Sequence, residues 1–324
     1  MVAGLLFSIL GERLLQKLMI IGAGSIGIRY WNIALSLKDK LNFLENKQFS
    51  VSLVSKHNDQ ANYKTIEEGI EKFQPTHILL ASKTSDHFSD FKIINTSISD
   101  IDVLIEKPVF KSFIHINKMN NNYYVAYNLR FSNLISELKL ISSIDNVLHA
   151  EIYVGSYLPD WRKNIDYRKN YSAKKDEGGG VLRDLSHELD YIVYLFGRIK
   201  KLTSITKKIS DLEIDSEDIS SIIMESESGT IITLNMNYIS RIPIRRITMI
   251  TNNDTYIADL ILENLKKSNE TKSFSNEGNS SYFRQLQSFL DTKKQICKID
   301  EGLYITKLIE SIEIASITEK WITI

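Results

Sequence analysis

Asp184 and His187 have side chains suited to moving a proton, and they are close in sequence. They are three positions apart, so on one helix they would share a face with about 5–6 Å between them. A histidine with a carboxylate neighbour is a general acid or base whose pKa is raised toward working pH. The alternative is that both residues belong to the polar face of an amphipathic helix.

Lys107 is a third candidate, and it follows a strand-like run that ends in Glu106-Lys107-Pro108. A side chain at the carboxyl end of a parallel strand lies where open α/β sheets bind ligands. A lysine there can donate a hydrogen bond to a substrate hydroxyl and to a ribose, and its charge helps the hydroxyl to lose a proton as hydride leaves. The alternative is a solvated lysine after a strand.

A glycine triplet near the start of the chain predicts dinucleotide binding. Residues 18–21 are apolar, and the G-x-G-x-x-G pattern of residues 22–27 follows them and opens a helix-like run. Gly22 allows the turn, Gly24 allows a pyrophosphate to approach, and Gly27 allows the helix to pack closely on the strand. Amides at the helix start, including those of Ser25 and Ile26, would face the phosphates. The alternative is an ordinary tight strand-to-helix turn.

The end of the second strand-like run, Phe49–Val54, should contact the adenosine end of such a cofactor. Ser55 and Lys56 stand where a reader of the 2′-hydroxyl would be Asp or Glu. They suit a 2′-phosphate instead, so the sequence favours NADP over NAD by a small margin. Two alternatives remain open, since Asp59 could fold back to bind NAD and Lys56 could simply be solvated.

Alternating strand-like and helix-like runs predict a doubly wound α/β domain over residues 17–127. We expect strands at 18–21, 49–54, 77–81, 101–105 and 123–127, and helices at 25–45, 65–73, 85–95 and 112–120.

The second half, residues 128–324, predicts an α+β domain with a large, mostly antiparallel open sheet. We expect strands at 147–157, 201–207, 219–226, 230–240, 244–251 and 256–261, helices at 133–143, 178–196, 282–290 and 302–321, and a polar loop at 266–281. Leu234, Met236 and Tyr238 alternate with polar residues, so they form either core or a subunit interface.

Composition excludes several other classes of protein. Forty basic residues balance forty acidic ones, so the molecule has no net field for nucleic acid or anionic lipid. Cys297 is the only cysteine, which rules out an internal disulfide and is typical of a reducing cytoplasm. The histidines lack metal-ligand spacing, so no metal site is expected. Residues 1–16 form an extension too short for a membrane span and without the basic start of a signal peptide.

Several motifs together resemble the glucose–fructose oxidoreductase/inositol dehydrogenase (Gfo/Idh/MocA) family, from about Lys17 to Trp321. Besides the glycine triplet and Glu106-Lys107-Pro108, the motifs are YNLRF at 127–131, YLPDWR at 157–162, DYR at 166–168 and GGGVLRDLSHE at 178–188. The last four resemble a branch found among bacterial surface-polysaccharide and nonulosonic-acid genes. The resemblance implies an NAD(P)-dependent oxidoreductase of the cytoplasm that acts on a sugar or nucleotide-sugar, and a homodimer or homotetramer paired through its sheet.

The resemblance also assigns roles to individual residues. It implies catalysis by Lys107, Asp184 and His187, but the family usually spaces the last two residues four apart. A one-residue contraction explains the difference, and Glu188 is the alternative base. The resemblance further implies cofactor contacts from Thr84, His87, Glu106 and Lys107, and substrate contacts from Asn128, Arg130, Trp161, Arg162 and His187. For His87 the alternative is a local hydrogen bond at a helix start, and for either arginine it is a structural ion pair. The same fold also serves a regulator that binds dinucleotide without turnover.

Overall fold

The computed structural model describes residues 16–44, 48–162, 165–274 and 278–324. Residues 1–15 of the expected N-terminal extension lie outside the described residues. Among the described helices, none is both long and apolar enough to cross a membrane. Two compact units are distinguished along the chain. The first comprises the described residues up to Glu106 with Asn117–Tyr124 and Phe289–Lys293, and the second comprises Lys107–Ile116, Val125–Ser288 and Lys294–Ile324.

The first unit is built on a parallel sheet with intervening helices. Its elements are β1 (Gln16–Ile21), α1 (Ser25–Leu44), β2 (Phe49–Val54), α2 (Ile66–Phe73), β3 (His77–Leu80), α3 (His87–Ser97), β4 (Asp102–Ile105) and β5 (Asn122–Val125). The strand order is β5-β4-β3-β1-β2, with β1 parallel to both β2 and β3, and β3 parallel to β4. The apolar strand residues are buried, which explains why these strands read as continuous hydrophobic runs. This is the predicted Rossmann-like arrangement.

The register of this sheet brings the ends of four strands to one edge. Ile21 pairs with Val54 and with Leu80, and Leu80 pairs with Ile105. The residues that follow these strands therefore emerge side by side at the carboxyl edge, where open α/β sheets bind ligands.

The second half of the chain folds around a nine-stranded sheet. Its helices are α4 (Asn133–Ile144), α5 (Val181–Asp184), α6 (Ser186–Phe196), α7 (Ser280–Leu290) and α8 (Ile299–Thr318). The strands of this sheet are β6 (Val147–Gly155), β7 (Ile199–Lys207), β8 (Ile219–Ser226), β9 (Ile231–Asn237), β10 (Ile244–Thr251), β11 (Thr255–Asp259), β12 (Asn264–Lys267), β13 (Glu270–Ser273) and β15 (Ile322–Thr323). The short strand β14 (Cys297–Lys298) also lies in this half of the chain but is not part of this sheet.

The strand order in this sheet is β13-β12-β11-β10-β6-β9-β8-β7-β15, and of the pairings described only that of β6 with β9 is parallel. The mostly antiparallel sheet and the fold class are as predicted. One face of the sheet is buried, and α6 and α8 contact it through β6 and β7. Leu234, Met236 and Tyr238 are fully buried there within a single chain, so they are core and not a subunit interface.

Three predicted elements differ in the structure. Residues 112–120 form no helix, because side chains distant in sequence form hydrogen bonds with their backbone groups. Glu310 accepts from the amide of Phe113 (2.7 Å), and Asn95 donates to the carbonyl of Lys118 (3.2 Å). The expected loop at 266–281 instead contains part of β12, all of β13 and the start of α7. The expected helix at 178–196 begins only at Val181 and is broken at Leu185.

Candidate functional site

The glycine turn after β1 leaves space where a dinucleotide would lie. Gly22 has a φ of 101°, and a Cβ there would overlap the carbonyl of Ala81. A Cβ on Gly27 would overlap the carbonyl of Gly22, so α1 packs closely on the turn. A Cβ on Gly24, by contrast, would meet nothing within 4 Å. The backbone therefore requires glycine at the outer two positions, whereas the middle position faces open space that can admit a pyrophosphate.

The helix that follows this turn is oriented to receive an anion. The first α-helical hydrogen bond runs from the amide of Ile28 to the carbonyl of Gly24 (2.9 Å). The amides of Ser25, Ile26 and Gly27 precede it, and the first amides of a helix have no intrahelical acceptor. Together with the positive end of the helix dipole, they suit a phosphate.

The residues after β2 lie at the same edge of the sheet. The amide of Ser55 donates to the carbonyl of Tyr63 (3.0 Å), and Lys56 is exposed. The carboxylate of Asp59 is exposed and lies 4.0 Å from Lys64, so it does not fold back toward Ser55 in this structure. The arrangement leaves Lys56 accessible to an anionic group.

Thr84, His87 and Glu106 follow β3 and β4. Thr84 is half-buried and its carbonyl accepts from the amide of His87 (3.3 Å). His87 is buried at the start of α3, with Nε2 3.2 Å from the carbonyl of Ser82. This is the local hydrogen bond at a helix start that is the alternative to a cofactor contact. The amide of Glu106 donates to the carbonyl of Leu80 (2.8 Å) and its side chain is buried.

Lys107 is bonded to the main chain of Asp184 within the second unit. Its Nζ donates to the carbonyl oxygen of Asp184 (2.6 Å), and the peptide bond between Lys107 and Pro108 is cis. The acceptor is therefore a neutral carbonyl, and the carboxylate of Asp184 is engaged elsewhere. That carboxylate accepts a 2.6 Å hydrogen bond from the hydroxyl of Tyr238.

Asp184 and His187 do not share a helix, contrary to the prediction from their spacing. Asp184 ends α5, Leu185 has φ −98° and ψ 25°, and His187 is the second residue of α6. His187 is instead placed by the aromatic ring of Tyr127, which meets its imidazole edge-on at 5.7 Å between centroids.

The expected rise in the pKa of His187 is also wrong. Burial holds the pKa of His187 well below its usual value, and the positive charges of Lys107 and Arg245 lower it further. The imidazole is thus neutral at neutral pH, and its buried Nδ1 has no hydrogen-bond partner among the described residues. A neutral histidine beside two cations can accept a proton from a substrate hydroxyl.

Glu188, the alternative base, is fully buried in an ion pair. Its Oε1 accepts from Nε of Arg245 (2.7 Å) and its Oε2 from Nη2 of the same residue (3.1 Å). Tyr191 also donates to Oε1 (3.4 Å). Both carboxylate oxygens of Glu188 are thus engaged by Arg245, so the geometry favours His187 over Glu188 as the base.

Two of the expected substrate residues have structural partners. The guanidinium of Arg130 is buried, with bonds to Asp190 (2.7 Å from Nη2) and to Glu301 (3.1 Å from Nη1). Asn128 donates to the hydroxyl of Ser281 (2.9 Å). For Arg130 the contacts match the structural ion pair, so neither residue is supported as a substrate contact.

Trp161 and Arg162 lie close to the aromatic residues around Asp184. The indole of Trp161 meets the ring of Tyr238 edge-on at 5.1 Å, and its buried Nε1–H has no acceptor among the described residues. The guanidinium of Arg162 lies 5.7 Å from the ring centroid of Tyr171. Both side chains are half-buried, and the free indole N–H is available to a ligand oxygen.

Sequence reasoning missed Tyr171, Tyr238 and Arg245. Tyr171 and Tyr238 interact with the carboxylate of Asp184, and Arg245 acts on His187. The alternating strand pattern marks Tyr238 only as core or interface, and no motif marks the other two. Tyr238 and Arg245 reach the site from a distant part of the sequence, so spacing cannot reveal them. In the described part of the chain, no group of three or more His, Cys, Asp or Glu residues could hold a metal ion.

Comparison with known proteins supports the fold and one domain. Residues 142–254 match the sequence profile of the GFO/IDH/MocA C-terminal domain. None of the curated proteins compared with the chain is significantly similar to it in sequence.

Solved structures match almost the whole chain at low sequence identity. An oxidoreductase from Thermotoga maritima has a TM-score of 0.78 and 16% identity over 95% of this chain and 98% of that one. The WlbA dehydrogenase from Bordetella pertussis, in complex with NADH and UDP-GlcNAcA, has a TM-score of 0.76 and 13% identity over 96% of this chain and 99% of that one. A levoglucosan dehydrogenase in complex with NADH and levoglucosan has a TM-score of 0.79 and 11% identity over 95% of this chain and 99% of that one. The chain therefore has the fold of GFO/IDH/MocA oxidoreductases, and over residues 142–254 it carries the C-terminal domain of that family.

Proposed function

We propose that this protein is an NAD(P)-dependent oxidoreductase of the Gfo/Idh/MocA family that interconverts a secondary alcohol and a ketone on a sugar or nucleotide-sugar. The observation that carries the proposal is the second unit's cluster of Lys107, Asp184 and His187. In it a half-buried lysine is fixed by a carbonyl, and a half-buried histidine with a buried Nδ1 is kept neutral. Within the first unit, the open space at Gly24 and the start of α1 supply a turn suited to a dinucleotide.

The cluster can accept the substrate hydroxyl proton during oxidation and return it during reduction. Lys107 donates a hydrogen bond to the substrate oxygen and stabilises negative charge that develops on it. His187, neutral because of burial and its cationic neighbours, accepts the hydroxyl proton during oxidation and returns it during reduction. A bound nicotinamide would supply the hydride acceptor or donor.

Similarity to the solved structures guides the substrate class. The WlbA structure contains UDP-GlcNAcA and the levoglucosan dehydrogenase contains levoglucosan. We favour a nucleotide-linked sugar, with Trp161 and Arg162 contacting it, and a role in surface-polysaccharide biosynthesis in the cytoplasm. The cofactor is NADP or NAD, with NADP slightly favoured because Lys56 is accessible at the end of β2.

Turnover of a panel of free and nucleotide-linked sugars with either dinucleotide tests the proposal. We expect Lys107→Met and His187→Gln to bind dinucleotide within a few fold of wild type and to lose about 10²–10⁴ in turnover, the usual contribution of a positioned acid or base. Lys111→Met, at an exposed lysine of the second unit, and His115→Gln, at an exposed histidine, are the matched controls.

Two further variants separate the possible failures. Gly24→Val should abolish dinucleotide binding without loss of fold, because its side chain enters open space. Glu188→Gln should mainly destabilise the protein, since Arg245 would lose its partner. A larger loss of turnover at Glu188 than at His187 would identify Glu188 as the base. If Lys107→Met and His187→Gln are as active as wild type, the catalytic assignment is wrong, and the protein would be a dinucleotide-binding regulator.

A further inference from the structure

The break between α5 and α6 creates the acceptor that holds Lys107. In a continuous α-helix the carbonyl of Asp184 would accept from the amide of Glu188. Here that amide donates to the carbonyl of Leu185 instead (3.1 Å). The carbonyl of Asp184 stands at the end of a single helical turn, where carbonyls have no intrahelical partner, and Lys107 donates to it. The position of Lys107 therefore depends on the exact placement of Asp184.

The placement of Asp184 depends in turn on its carboxylate. The hydroxyl of Tyr238 donates to Oδ2 at 2.6 Å, and Asp184 is only 7% exposed. Burial and the Asp184 charge hold the pKa of Tyr238 well above its usual value, and the same charge together with burial raises that of Tyr171. Both phenols therefore stay protonated and remain hydrogen-bond donors to this carboxylate.

Tyr238 is itself rigidly held at the end of β9. It is fully buried, and its amide donates to the carbonyl of Asp218 (2.9 Å). Its carbonyl accepts from the amide of Leu158 (2.9 Å), and its ring packs edge-on against Trp161. Because hydrogen bonds hold both the amide and the carbonyl of Tyr238, its hydroxyl is fixed in position and can orient the carboxylate of Asp184.

We propose that Tyr238 is a positioning residue for Lys107, acting through Asp184. Its hydroxyl fixes the carboxylate of Asp184, which fixes the Asp184 carbonyl, and this carbonyl holds the ammonium of Lys107. What Lys107 then does rests on the proposed function. The link from Tyr238 to Lys107 rests only on the two 2.6 Å hydrogen bonds.

The test compares Tyr238→Phe with Tyr304→Phe. Tyr304 is also buried in the second unit, and its hydroxyl bonds to the backbone of Ile199 (2.9 and 3.2 Å), so both variants lose one buried hydroxyl. The first measurement is the rate at which acetic anhydride acetylates Lys107, followed by peptide mass spectrometry. It needs neither substrate nor cofactor.

The second measurement is a double-mutant cycle on kcat with Asp184→Ala, which removes the carboxylate and keeps the carbonyl. We expect Tyr238→Phe to raise the acetylation rate at Lys107 about threefold or more. It should lower kcat about tenfold or more, the usual effect of losing a hydrogen bond to a buried charge, while the KM for dinucleotide stays within about twofold. In the Asp184→Ala background, Tyr238→Phe should add less than about twofold.

The outcomes separate this proposal from the proposed function. Wild type could fail to turn over any sugar while Tyr238→Phe still raises the acetylation rate of Lys107. That result would refute the proposed oxidoreductase activity but support the positioning role of Tyr238. Unchanged acetylation in Tyr238→Phe would overturn the positioning role, as would equal changes in Tyr304→Phe. Where the enzyme turns over, an undiminished effect of Tyr238→Phe on kcat in the Asp184→Ala background would overturn it too.

Discussion

At the residue scale, the hydrogen bond between Lys107 and the carbonyl of Asp184 fixes the position of the ammonium. A carbonyl acceptor carries no net charge, so this bond itself does not cancel the charge of the lysine. That charge contributes to the lowered pKa of His187. The same contact thus fixes the donor and helps to keep the base neutral.

Lys56 carries the prediction about cofactor choice. It is exposed directly after Ser55 at the end of β2, and a charge-assisted bond to a 2′-phosphate stabilises the complex by about 1.5–3 kcal/mol. We expect Lys56→Asp to shift the ratio of NADP to NAD affinity toward NAD by about tenfold or more. Titration calorimetry with both dinucleotides measures the ratio.

A matched control for this variant is Lys266→Asp, which makes the same charge change at an exposed position on β12. It should leave the ratio of affinities unchanged. Strong preference of the wild type for NAD would show that the interpretation of Ser55 and Lys56 is wrong.

At the element scale, His77 makes the first unit sensitive to acid. It begins β3, is almost fully buried, and its ring meets Phe289 edge-on at 5.4 Å. Burial and the nearby Lys293 lower the pKa of His77 to about 4, although Asp102 opposes the shift. The unfolded chain therefore binds the proton first as pH falls below about 6.5, and the folded state loses stability until the pH reaches about 4.

This effect predicts that the stability of wild type and of His77→Gln depends differently on pH. Because of the pKa shift of His77, the free energy of unfolding of wild type should fall by about 2 kcal/mol between pH 8 and pH 5. Urea denaturation at the two pH values should show a fall about 2 kcal/mol smaller for His77→Gln than for wild type. His57→Gln, at an exposed histidine, is the control. Parallel losses in wild type and His77→Gln would contradict the assignment.

Elements were predictable where the hydrophobic pattern of the sequence matches burial. Phe49–Val54, Ile219–Ser226 and Ile244–Thr251 have the predicted bounds, because strands with a buried face carry runs or alternation of apolar residues. All four residues of β13 are exposed, so no apolar pattern exists there to predict a strand. It forms through backbone pairing with β12 alone.

The parts of the site that were not predictable depend on contacts distant in sequence. The helical pattern through Leu185 is continuous, and the break is recognisable only from the partners of Asp184, namely Lys107 and Tyr238. The sequence identified Lys107, Asp184 and His187 as candidates through motifs. It assigned the wrong direction to the pKa of His187, because burial and the charge of Arg245 are properties of the fold.

At the scale of the whole molecule, the nine-stranded sheet has one buried face and one exposed face with many isoleucines. The exposed ones are Ile205, Ile223, Ile231, Ile250 and Ile257. Ile231 and Ile250 both pair with His149 of β6, so they flank it near the centre of the face. An apolar patch of this kind is typical of a protein interaction surface.

We expect a homodimer or homotetramer that buries this face, with its mass measured by light scattering at micromolar concentration. The double variant Ile231→Asp with Ile250→Asp should dissociate it to a smaller species, because two carboxylates per chain would be buried without partners. Leu140→Asp with Ile317→Asp introduces the same charges at positions on α4 and α8 that are 58% and 81% exposed, and should leave the mass unchanged. A monomeric wild type would refute the prediction. A double variant of the sheet that keeps the wild-type mass would show that the subunits pair through another surface.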